Sequence, residues 1–274
     1  MIVVTGYKGF IGGRLYDTLK ERGEPVVGLD LVEGEGYQTP VQFIHKAIIK
    51  PPKVIFHLAA QSRVQPSFED PVKSFEDNVK GTLMVLELAR KTGCKVIYAG
   101  SSSKHHNPYD SPYATTKMMG EELCKMYRES YGVDVDIARF YNAYGPGEAL
   151  DPKYGNVIGI WRYNVSQGID IQVVGDGEQR RDFIHVDDIV DGLIKISDAV
   201  SPHEDAWELG TGMNYSINEV FGFFQEAFGD LEKVHLPDVP GNYRKTLREN
   251  DDTLERLGWS PSDRLRDYIL SLNS

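Results

Sequence analysis

The chain has 274 residues and carries 30 Lys and Arg against 41 Asp and Glu, which gives a formal net charge of −11 at pH 7. Because a net acidic protein binds nucleic acid and anionic membrane surfaces poorly, and because no apolar run reaches membrane-spanning length, we expect neither nucleic acid nor membrane as a partner. Cys94 and Cys124 are too few for a disulfide framework or a metal site, so we expect no metal and a reducing, cytoplasmic location.

The first stretch in chain order, residues 2–30, predicts a strand, a glycine-rich turn, a helix and a second strand. It begins with apolar, mostly β-branched residues, the pattern of a buried strand. Gly6, Gly9 and Gly12 follow at G-x-x-G-x-x-G spacing, and Asp30 ends the second strand. Such glycines allow a tight turn, a close approach of backbone amides to a pyrophosphate and close packing of helix on strand. This unit predicts dinucleotide binding.

Asp30 indicates which dinucleotide would bind. A carboxylate at this position accepts hydrogen bonds from a ribose 2′-hydroxyl and repels a 2′-phosphate. Residues 31–35 contain no Arg that would reverse this preference. The segment therefore predicts an NAD site. A glycine-rich turn without a ligand is the alternative, and the ordered sequence of strand, turn, helix and carboxylate counts against it.

The next predicted elements are a short strand near the adenine pocket (41–44), a buried strand (53–60) and a polar loop (61–71). A long helix (71–91) and another buried strand (95–99) follow. Leu58, Ala59 and Ala60 end the first buried strand, where small side chains let a cofactor backbone come close. A serine cluster, residues 101–103, follows the last strand.

Tyr113 and Lys117 are four residues apart, so on a helix they share one face. A phenol has a pKa near ~10, and a neighbouring ammonium would lower it toward the range of a general base. The pair therefore suits proton abstraction from a sugar hydroxyl. An exposed Tyr beside a solvated Lys is the alternative, and it is the commoner case for an isolated Y-x-x-x-K. The preceding dinucleotide unit and serine-tipped strand favour the catalytic interpretation.

Motifs along nearly the whole chain resemble those of the extended short-chain dehydrogenase/reductase family, and within it those of the nucleotide-sugar epimerases and dehydratases. They are TGYKGFIG, FHLAAQSRVQPSFEDP, the serine cluster, Y-x-x-x-K, RFYNAYGP, GDGEQRRDFIHVDD and LGW. The resemblance implies an α/β fold, with a Rossmann-type doubly wound parallel sheet and a smaller mixed α/β C-terminal substrate domain. We assign residues 1–165 to the NAD-binding domain, with 183–200 returning to it, and 166–182 and 201–274 to the substrate-binding domain.

The motifs and the resemblance together assign three sets of site residues. The catalytic set is Ser101, Tyr113 and Lys117. The NAD-binding set is Gly6, Gly9, Phe10, Ile11, Asp30, Leu58, Ala59, Ala60, Tyr113 and Lys117. The substrate-binding set is Ser102, Ser103, Asn142, Asn156 and Arg181, with Arg181 gripping the substrate diphosphate. The alternative for Arg181 is a surface ion pair with Asp176 or Asp182.

The resemblance implies an NAD-dependent nucleotide-sugar 4-epimerase that acts through a transient 4-keto sugar, with a UDP-hexose favoured and a homodimer formed by the helices around 79–89 and 113–127. A dehydratase, decarboxylase or reductase of the same family is one alternative, and a non-catalytic NAD-binding protein is another. Dehydratases of the family carry an Asp-Glu pair where this chain has Ser102 and Ser103, which argues against dehydration.

Two departures from the family pattern affect the substrate site. The loop between Ser101 and Tyr113 is short, so a larger sugar substituent such as N-acetyl could fit. Asp238 and Val239 stand where the family places a basic residue for the diphosphate, and Arg244 or Arg248 could replace it.

Four further expectations concern local structure. Asp187 and Asp188 are expected to cap a helix over 189–196. Residues 207–212 are expected to form a strand and turn of the smaller domain. His105 and His106 are read as loop residues beside the site rather than metal ligands. The phenylalanines at 221, 223, 224 and 228 are expected on the core face of a helix.

Overall fold

Seven parallel strands form the main sheet of the computed structural model, which describes residues 1–32, 36–249 and 252–273. In the order in which they pair, the strands are β3 (Tyr37–Gln38), β2 (Val26–Asp30), β1 (Ile2–Thr5), β4 (Val54–His57), β5 (Lys95–Ser101), β6 (Val135–Phe140) and β10 (Trp207–Leu209). In chain order, β1, β2 and β3 are added toward one edge of the sheet, and β4, β5 and β6 are then added toward the other edge. The crevice between β1 and β4 is therefore the switch point at which ligands bind in such sheets.

Helices cover both faces of this sheet, as the doubly wound prediction requires. The helices of the chain are α1 (Phe10–Glu21), α2 (Ile44–Ala47), α3 (Val64–Glu69), α4 (Pro71–Phe75), α5 (Gly81–Thr92), α6 (Pro112–Tyr131), α7 (Val157–Gln167), α8 (Val186–Asp198), α9 (Ile217–Phe228), α10 (Thr253–Leu257) and α11 (Leu265–Ser271). Val4 of β1 packs in one core with Leu15 of α1 and Leu193 of α8. Val3, the residue before Val4, packs with Leu86 of α5 in the core on the other face of the sheet. Successive strand residues point to opposite faces.

A second, smaller domain is built from short strands and three helices. β7 (Asn142–Tyr144), β9 (Arg180–His185) and β11 (Asn214–Ser216) form a mixed sheet, while β8 (Ile171–Val174) pairs in parallel with β12 (Lys233–Leu236). Its core contains Trp161 of α7 together with Phe221 and Phe224 of α9. Phe223 and Phe228 are partly buried against the same core, which confirms the predicted core face of this helix.

Residues 41–44 are not the short strand that was predicted. Val41–Phe43 form a 3-10 turn that leads into α2, and both Val41 and Ile44 are buried in the main core. Two buried positions three residues apart fit a helical turn, whereas a strand would place them on opposite faces. The strand in this region is β3 instead.

The predicted polar loop and long helix also differ in detail. The loop over 61–71 contains α3, and the helix predicted over 71–91 consists of α4, a π-helical turn at Glu76–Lys80 and α5. The π-helical turn carries Asn78, whose side chain bonds both the backbone N–H and the carbonyl of Gln61. This contact fixes the start of the loop that follows β4.

The strand at Trp207 lies in the main sheet, so its prediction as part of the smaller domain is wrong. Trp207 pairs with Ala138 of β6, and its indole N–H donates to the buried Asp136 carboxylate at 2.7 Å. Glu208 likewise bonds Arg139 at 2.9 Å. These buried contacts hold β10 at the edge of the main sheet.

The predicted caps of α8 are wrong as well. The helix begins at Val186, and His185 is its N-cap. Asp187 and Asp188 lie in the first turn, where they pair with Arg14 at 2.6 Å and Arg264 at 2.6 Å. Carboxylates in the first turn still complement the helix dipole, although the N-cap position belongs to His185.

Candidate active site

One cavity of about 1000 Å³ lies across the carboxyl ends of β1, β4 and β5. It is lined by every residue assigned from the sequence to catalysis, NAD binding or substrate binding, which are Gly6, Gly9, Phe10, Ile11, Asp30, Leu58, Ala59, Ala60, Ser101, Ser102, Ser103, Tyr113, Lys117, Asn142, Asn156 and Arg181. The structure thus brings all of them to one place, because the carboxyl ends of parallel strands meet at the same edge of a sheet.

The glycine-rich turn has the close approaches that a dinucleotide cradle needs. Gly6 has φ +73°, in the left-handed region, and a Cβ there would lie 2.8 Å from the Ala59 nitrogen. A Cβ on Gly12 would lie 2.0 Å from the Gly6 carbonyl oxygen. Gly9 is the N-cap of α1, and no side chain caps this helix. Its first-turn N–H groups are therefore positioned to bind a pyrophosphate.

Asp30 lies at the end of β2 with its carboxylate fixed by backbone N–H donors. Lys8 donates to one oxygen at 2.9 Å, and Leu31 and Val32 donate to the other at 2.7 and 3.2 Å. A carboxylate offers about four lone-pair sites, so acceptor capacity remains for ribose hydroxyls. The geometry fits the adenosine end of NAD. Residues 33–35, part of the stretch without Arg, lie outside the described residues.

Tyr113 and Ser101 meet at the centre of the cavity. Ser111 caps α6 and Pro112 occupies its first turn, which sets Tyr113 at the start of the helix. The phenol donates a hydrogen bond to the Ser101 hydroxyl, with 3.3 Å between the oxygens. Ser101 also accepts from the Ser103 N–H at 3.2 Å. Of the three clustered serines, Ser101 is therefore the one that contacts the phenol.

Lys117 is buried near this pair, and its contacts differ from those expected of a residue that lowers the Tyr113 pKa. Its ammonium donates to the Ala99 carbonyl at 2.7 Å and lies 5.1 Å from the centre of the Tyr98 ring. Burial lowers the pKa of Lys117 to about 8. Burial likewise raises the pKa of Tyr113, and the opposing influences are the Ser101 hydrogen bond and the charge of Arg63. The ammonium is thus directed at a carbonyl, and the expected lowering of the Tyr113 pKa by Lys117 is not found.

Burial of Lys117 predicts a pH dependence of stability. Its folded-state pKa of about 8 lies below the ordinary 10.5, so between these values the unfolded chain binds a proton that the folded protein has released. The cost of the buried ammonium, up to about 3 kcal/mol, is fully present below pH 8 and declines as the pH rises toward 10.5. We therefore expect Lys117→Met to exceed the wild type in unfolding free energy at pH 7, by a margin that shrinks above pH 8.

Urea denaturation at a series of pH values from 7 to 10 measures this margin. Lys91→Met serves as the control, because Lys91 is exposed on α5. A margin for Lys117→Met that stays constant with pH would contradict the expectation.

Arg181 presents a guanidinium to the cavity without a carboxylate partner among the described residues. It donates to the Asn242 side chain at 2.6 Å and to the Arg180 carbonyl at 3.0 Å. Asp176 pairs instead with Arg244 at 2.9 Å. Burial lowers the pKa of Arg181 to about 10. A buried guanidinium of this kind suits an anionic group such as a phosphate.

Asn142 and Asn156 line the same cavity as Arg181 and also hold local structure. Asn142 donates to the Asp182 carbonyl and to the Thr246 hydroxyl, each at 3.0 Å. Asn156 caps α7 by accepting from the Gly159 N–H at 2.8 Å. Both residues therefore fix part of the cavity wall.

Family membership follows from comparison with known proteins. The model of the NAD dependent epimerase/dehydratase family matches residues 2–210. The chain belongs to this family. Its cofactor is accordingly NAD, and it is an NAD-dependent enzyme that modifies nucleotide sugars.

Three relatives indicate the range of activities within the family. UDP-glucose 4-epimerase of Mycolicibacterium smegmatis is 32% identical, over 97% of this chain and 95% of that protein. UDP-glucuronic acid decarboxylase 1 of Arabidopsis thaliana is 27% identical, over 98% of this chain and 68% of that protein. The solved structure of UDP-glucose 4-epimerase with UDP-glucose from Thermotoga maritima matches with a TM-score of 0.90 at 27% identity, covering 98% of this chain and 96% of that one.

A buried ion cluster lies beside the candidate site. Arg139 of β6 bonds Glu121 of α6 at 2.8 Å and Glu208 of β10 at 2.9 Å. Glu208 also bonds His105 at 3.0 Å, and this hydrogen bond raises the pKa of His105. The cluster joins α6, β6 and β10 beside the loop that follows Ser101. The sequence motifs alone did not single out Glu121 or Glu208.

The histidine pair lies beside the site, as expected. His105 faces Glu208, while His106 stacks on Tyr243 with 3.9 Å between ring centres. Within the described ranges, no group of three or more His, Cys, Asp or Glu side chains is arranged to hold a metal ion.

None of the described helices combines the length and apolar character needed to cross a membrane.

Arg244 and Arg248, the two candidates for a substitute diphosphate ligand, are engaged elsewhere. Arg244 is exposed and pairs with Asp176. Arg248 donates to the Gly210 carbonyl at 2.9 Å. Arg181 is thus the arginine of the three that lines the cavity.

Proposed function

We propose that this protein is an NAD-dependent nucleotide-sugar 4-epimerase that inverts C4 of a UDP-hexose through a transient 4-keto sugar. One observation supports this above all: the Tyr113 phenol meets the Ser101 hydroxyl in the cavity whose walls also carry the glycine-rich turn and Arg181. A proton acceptor, a dinucleotide cradle and an anion ligand therefore face the same space.

In the proposed reaction, Tyr113 takes the proton from the sugar O4 as the C4–H bond breaks. NAD, which the glycine-rich turn and Asp30 would hold, would supply the acceptor for the C4 hydride and its donor on return. Ser101 donates to or accepts from O4 while the proton moves. After the 4-keto sugar has turned over in the cavity, Tyr113 gives its proton back to O4, and the configuration at C4 is inverted. Protons and electrons balance, so no added reductant is consumed.

Lys117 would stabilise the phenolate form of Tyr113 once its ammonium turns from the Ala99 carbonyl toward the cavity. The two side chains lie one turn apart on α6, and both line the cavity. By resemblance to the family, Lys117 also hydrogen-bonds the nicotinamide ribose. Burial of the ammonium increases its electrostatic effect on a neighbouring phenolate.

The substrate diphosphate would bind at Arg181, with Asn142 and Asn156 beside it. The UDP-glucose 4-epimerases among the relatives favour UDP as the nucleotide. The size of the cavity, about 1000 Å³, suits a dinucleotide and a nucleotide sugar together.

A decarboxylase is the second candidate within the family, because one relative is a UDP-glucuronic acid decarboxylase. A dehydratase is less well supported, since Ser102 and Ser103 replace the acidic pair that this chemistry needs. A reductase would consume reduced cofactor. A non-catalytic NAD-binding protein would have no need for the bond between Tyr113 and Ser101.

NMR of a panel of UDP-, GDP- and dTDP-sugars, incubated with the protein and NAD, tests the proposal. We expect the 4-epimer of one sugar to accumulate to equilibrium without added reductant. Release of carbon dioxide would indicate the decarboxylase instead, and absence of turnover across the panel would favour the non-catalytic alternative.

Ser101→Ala removes the hydroxyl that contacts Tyr113. We expect kcat to fall about 10- to 100-fold, because one hydrogen bond to a developing charge contributes about 1.5–3 kcal/mol. Ser102→Ala is the matched control, since Ser102 lines the same cavity but makes no bond to the phenol. Steady-state rates for the two variants check the expectation, and an equal loss in both would remove the distinction between these serines.

We also propose a cytoplasmic homodimer that associates through α5 and α6. Met126 on α6 keeps an exposed apolar side chain, which is consistent with a partner surface there. Cys94 and Cys124 are buried free thiols, as is usual in a reducing compartment. Light scattering after size-exclusion chromatography measures the oligomeric state.

A further inference from the structure

Arg63 is a cation in the cavity to which the proposed reaction assigns no role. It is half-buried, directly precedes α3 and lines the cavity together with Tyr113. Its guanidinium has no hydrogen-bond or ion-pair partner in the described part of the chain. A side chain with five N–H donors is thus left unpaired next to the reacting atoms.

The backbone at Arg63 is fixed relative to Tyr113. The Arg63 carbonyl accepts from the Ser67 N–H at 3.3 Å, and the Ser67 hydroxyl accepts from the Tyr113 N–H at 3.1 Å. The loop before it is clamped by Asn78, whose side chain bonds Gln61 and donates to Thr116 on α6 at 2.9 Å. Arg63 is therefore held beside the catalytic tyrosine.

The carboxylate that interacts electrostatically with Arg63 is already paired. Glu148 accepts from the Arg162 guanidinium at 3.0 Å and from the Tyr268 hydroxyl at 3.1 Å. Burial lowers the pKa of Arg63, and the charges of Tyr113 and Glu148 oppose this only in part. The positive charge of Arg63 is therefore not compensated by the protein.

The diphosphates of NAD and of the nucleotide sugar are assigned to other residues, so Arg63 is available to bind a different part of the substrate. In the proposed function, the glycine-rich turn at α1 binds the NAD diphosphate and Arg181 binds that of the substrate. The sugar ring would then lie near Tyr113, with its C5 substituent next to the reacting C4. A half-buried guanidinium without a counter-ion favours a planar anion that it can bind with two parallel hydrogen bonds.

We propose that the sugar of the substrate carries a carboxylate, as in a hexuronic acid, and that Arg63 binds this carboxylate and selects for it. The proposal rests on the nucleotide-sugar function proposed above and specifies the sugar. A neutral hydroxymethyl group at the same place leaves the guanidinium without a counter-charge. A carboxylate satisfies two of its donors and compensates its charge.

Binding to the catalytically disabled Tyr113→Phe protein tests this selectivity. Titration calorimetry with NAD present gives the dissociation constants of UDP-glucuronate and UDP-glucose, with and without the further change Arg63→Gln. We expect UDP-glucuronate to bind about 10- to 100-fold more tightly when Arg63 is present, because hydrogen bonds to charged groups contribute that much. Arg63→Gln should abolish the preference, and Arg63→Lys should retain part of it.

The ratio of the two dissociation constants distinguishes recognition from a structural effect, since a misfolded cavity weakens both ligands alike. Arg22→Gln, at an exposed position after α1, is the matched control and should leave the ratio unchanged. A ratio that Arg63→Gln does not alter, or tighter binding of UDP-glucose to the protein with Arg63, would overturn the proposal. Neither outcome affects the proposed 4-epimerase, which is tested by turnover of the wild-type protein.

Discussion

Replacing Tyr113 with phenylalanine is expected to lower kcat about 1,000-fold, because a positioned general base contributes about 10²- to 10⁴-fold to a rate. The phenyl ring keeps the packing of the first turn of α6 but cannot take the O4 proton. The hydrogen bond to Ser101 is lost as well. Turnover of the nucleotide sugar identified by NMR measures the effect.

The control for this variant is Tyr109→Phe. Tyr109 lies in the same short loop between Ser101 and Tyr113, and its side chain is 81% exposed. We expect its rate to equal that of the wild type. NAD binding by Tyr113→Phe should persist, since the glycine-rich turn is untouched. A Tyr113→Phe protein with an unchanged rate would show that another group removes the proton.

Gly12→Ala is expected to weaken NAD binding about 10- to 100-fold and to lower the free energy of unfolding by about 1–3 kcal/mol. The added methyl group would lie 2.0 Å from the Gly6 carbonyl oxygen and 2.8 Å from the Gly6 carbonyl carbon. The turn and α1 must then separate, which moves the N–H groups that we expect to bind the pyrophosphate. NAD titration and thermal unfolding measure the two effects.

Gly222→Ala is the matched control, because Gly222 also lies inside a helix, α9, but a Cβ there meets nothing within 4 Å. This variant is expected to gain up to about 1 kcal/mol in stability from the helix preference of alanine, with no change in NAD affinity. If both variants bind NAD as the wild type does, the glycine-rich turn is not the cofactor site.

The positions of the main site residues could be predicted because they follow from strand ends. Gly6, Ala59 and Ser101 each end or follow a buried strand, and parallel strands bring these ends to one edge of the sheet. The helical spacing of Tyr113 and Lys117 then places both on the same side. The sequence pattern therefore located the cavity without any knowledge of side-chain contacts.

Contacts between residues distant in the sequence could not be predicted in the same way. The short strand at Trp207 gave no sign of its place in the main sheet, which depends on buried bonds to Asp136 and Arg139. The direction of the Lys117 ammonium depends on the Ala99 carbonyl, to which it donates just past the last pair of β4 with β5, His57 and Tyr98. The unpaired state of Arg63 depends on which carboxylates the fold brings near.

At residues 41–44 the short sequence pattern predicted a strand, whereas the structure has a helical turn. An apolar run after Pro40 resembles a short strand, but Val41 and Ile44 both point into the main core beside α5. A run of four residues is too short for periodicity alone to separate a strand from a helical turn.

The central claim, that Tyr113 removes the O4 proton while the C4 hydrogen leaves and returns within one active site, is tested most directly with a UDP-hexose that carries deuterium at C4. NMR of the product in ordinary water follows both the configuration at C4 and the fate of the label. We predict the 4-epimer with the deuterium fully retained at C4, formed about 1,000-fold more slowly by Tyr113→Phe. Replacement of the label by solvent hydrogen, or formation of the epimer by Tyr113→Phe at the wild-type rate, would contradict the account.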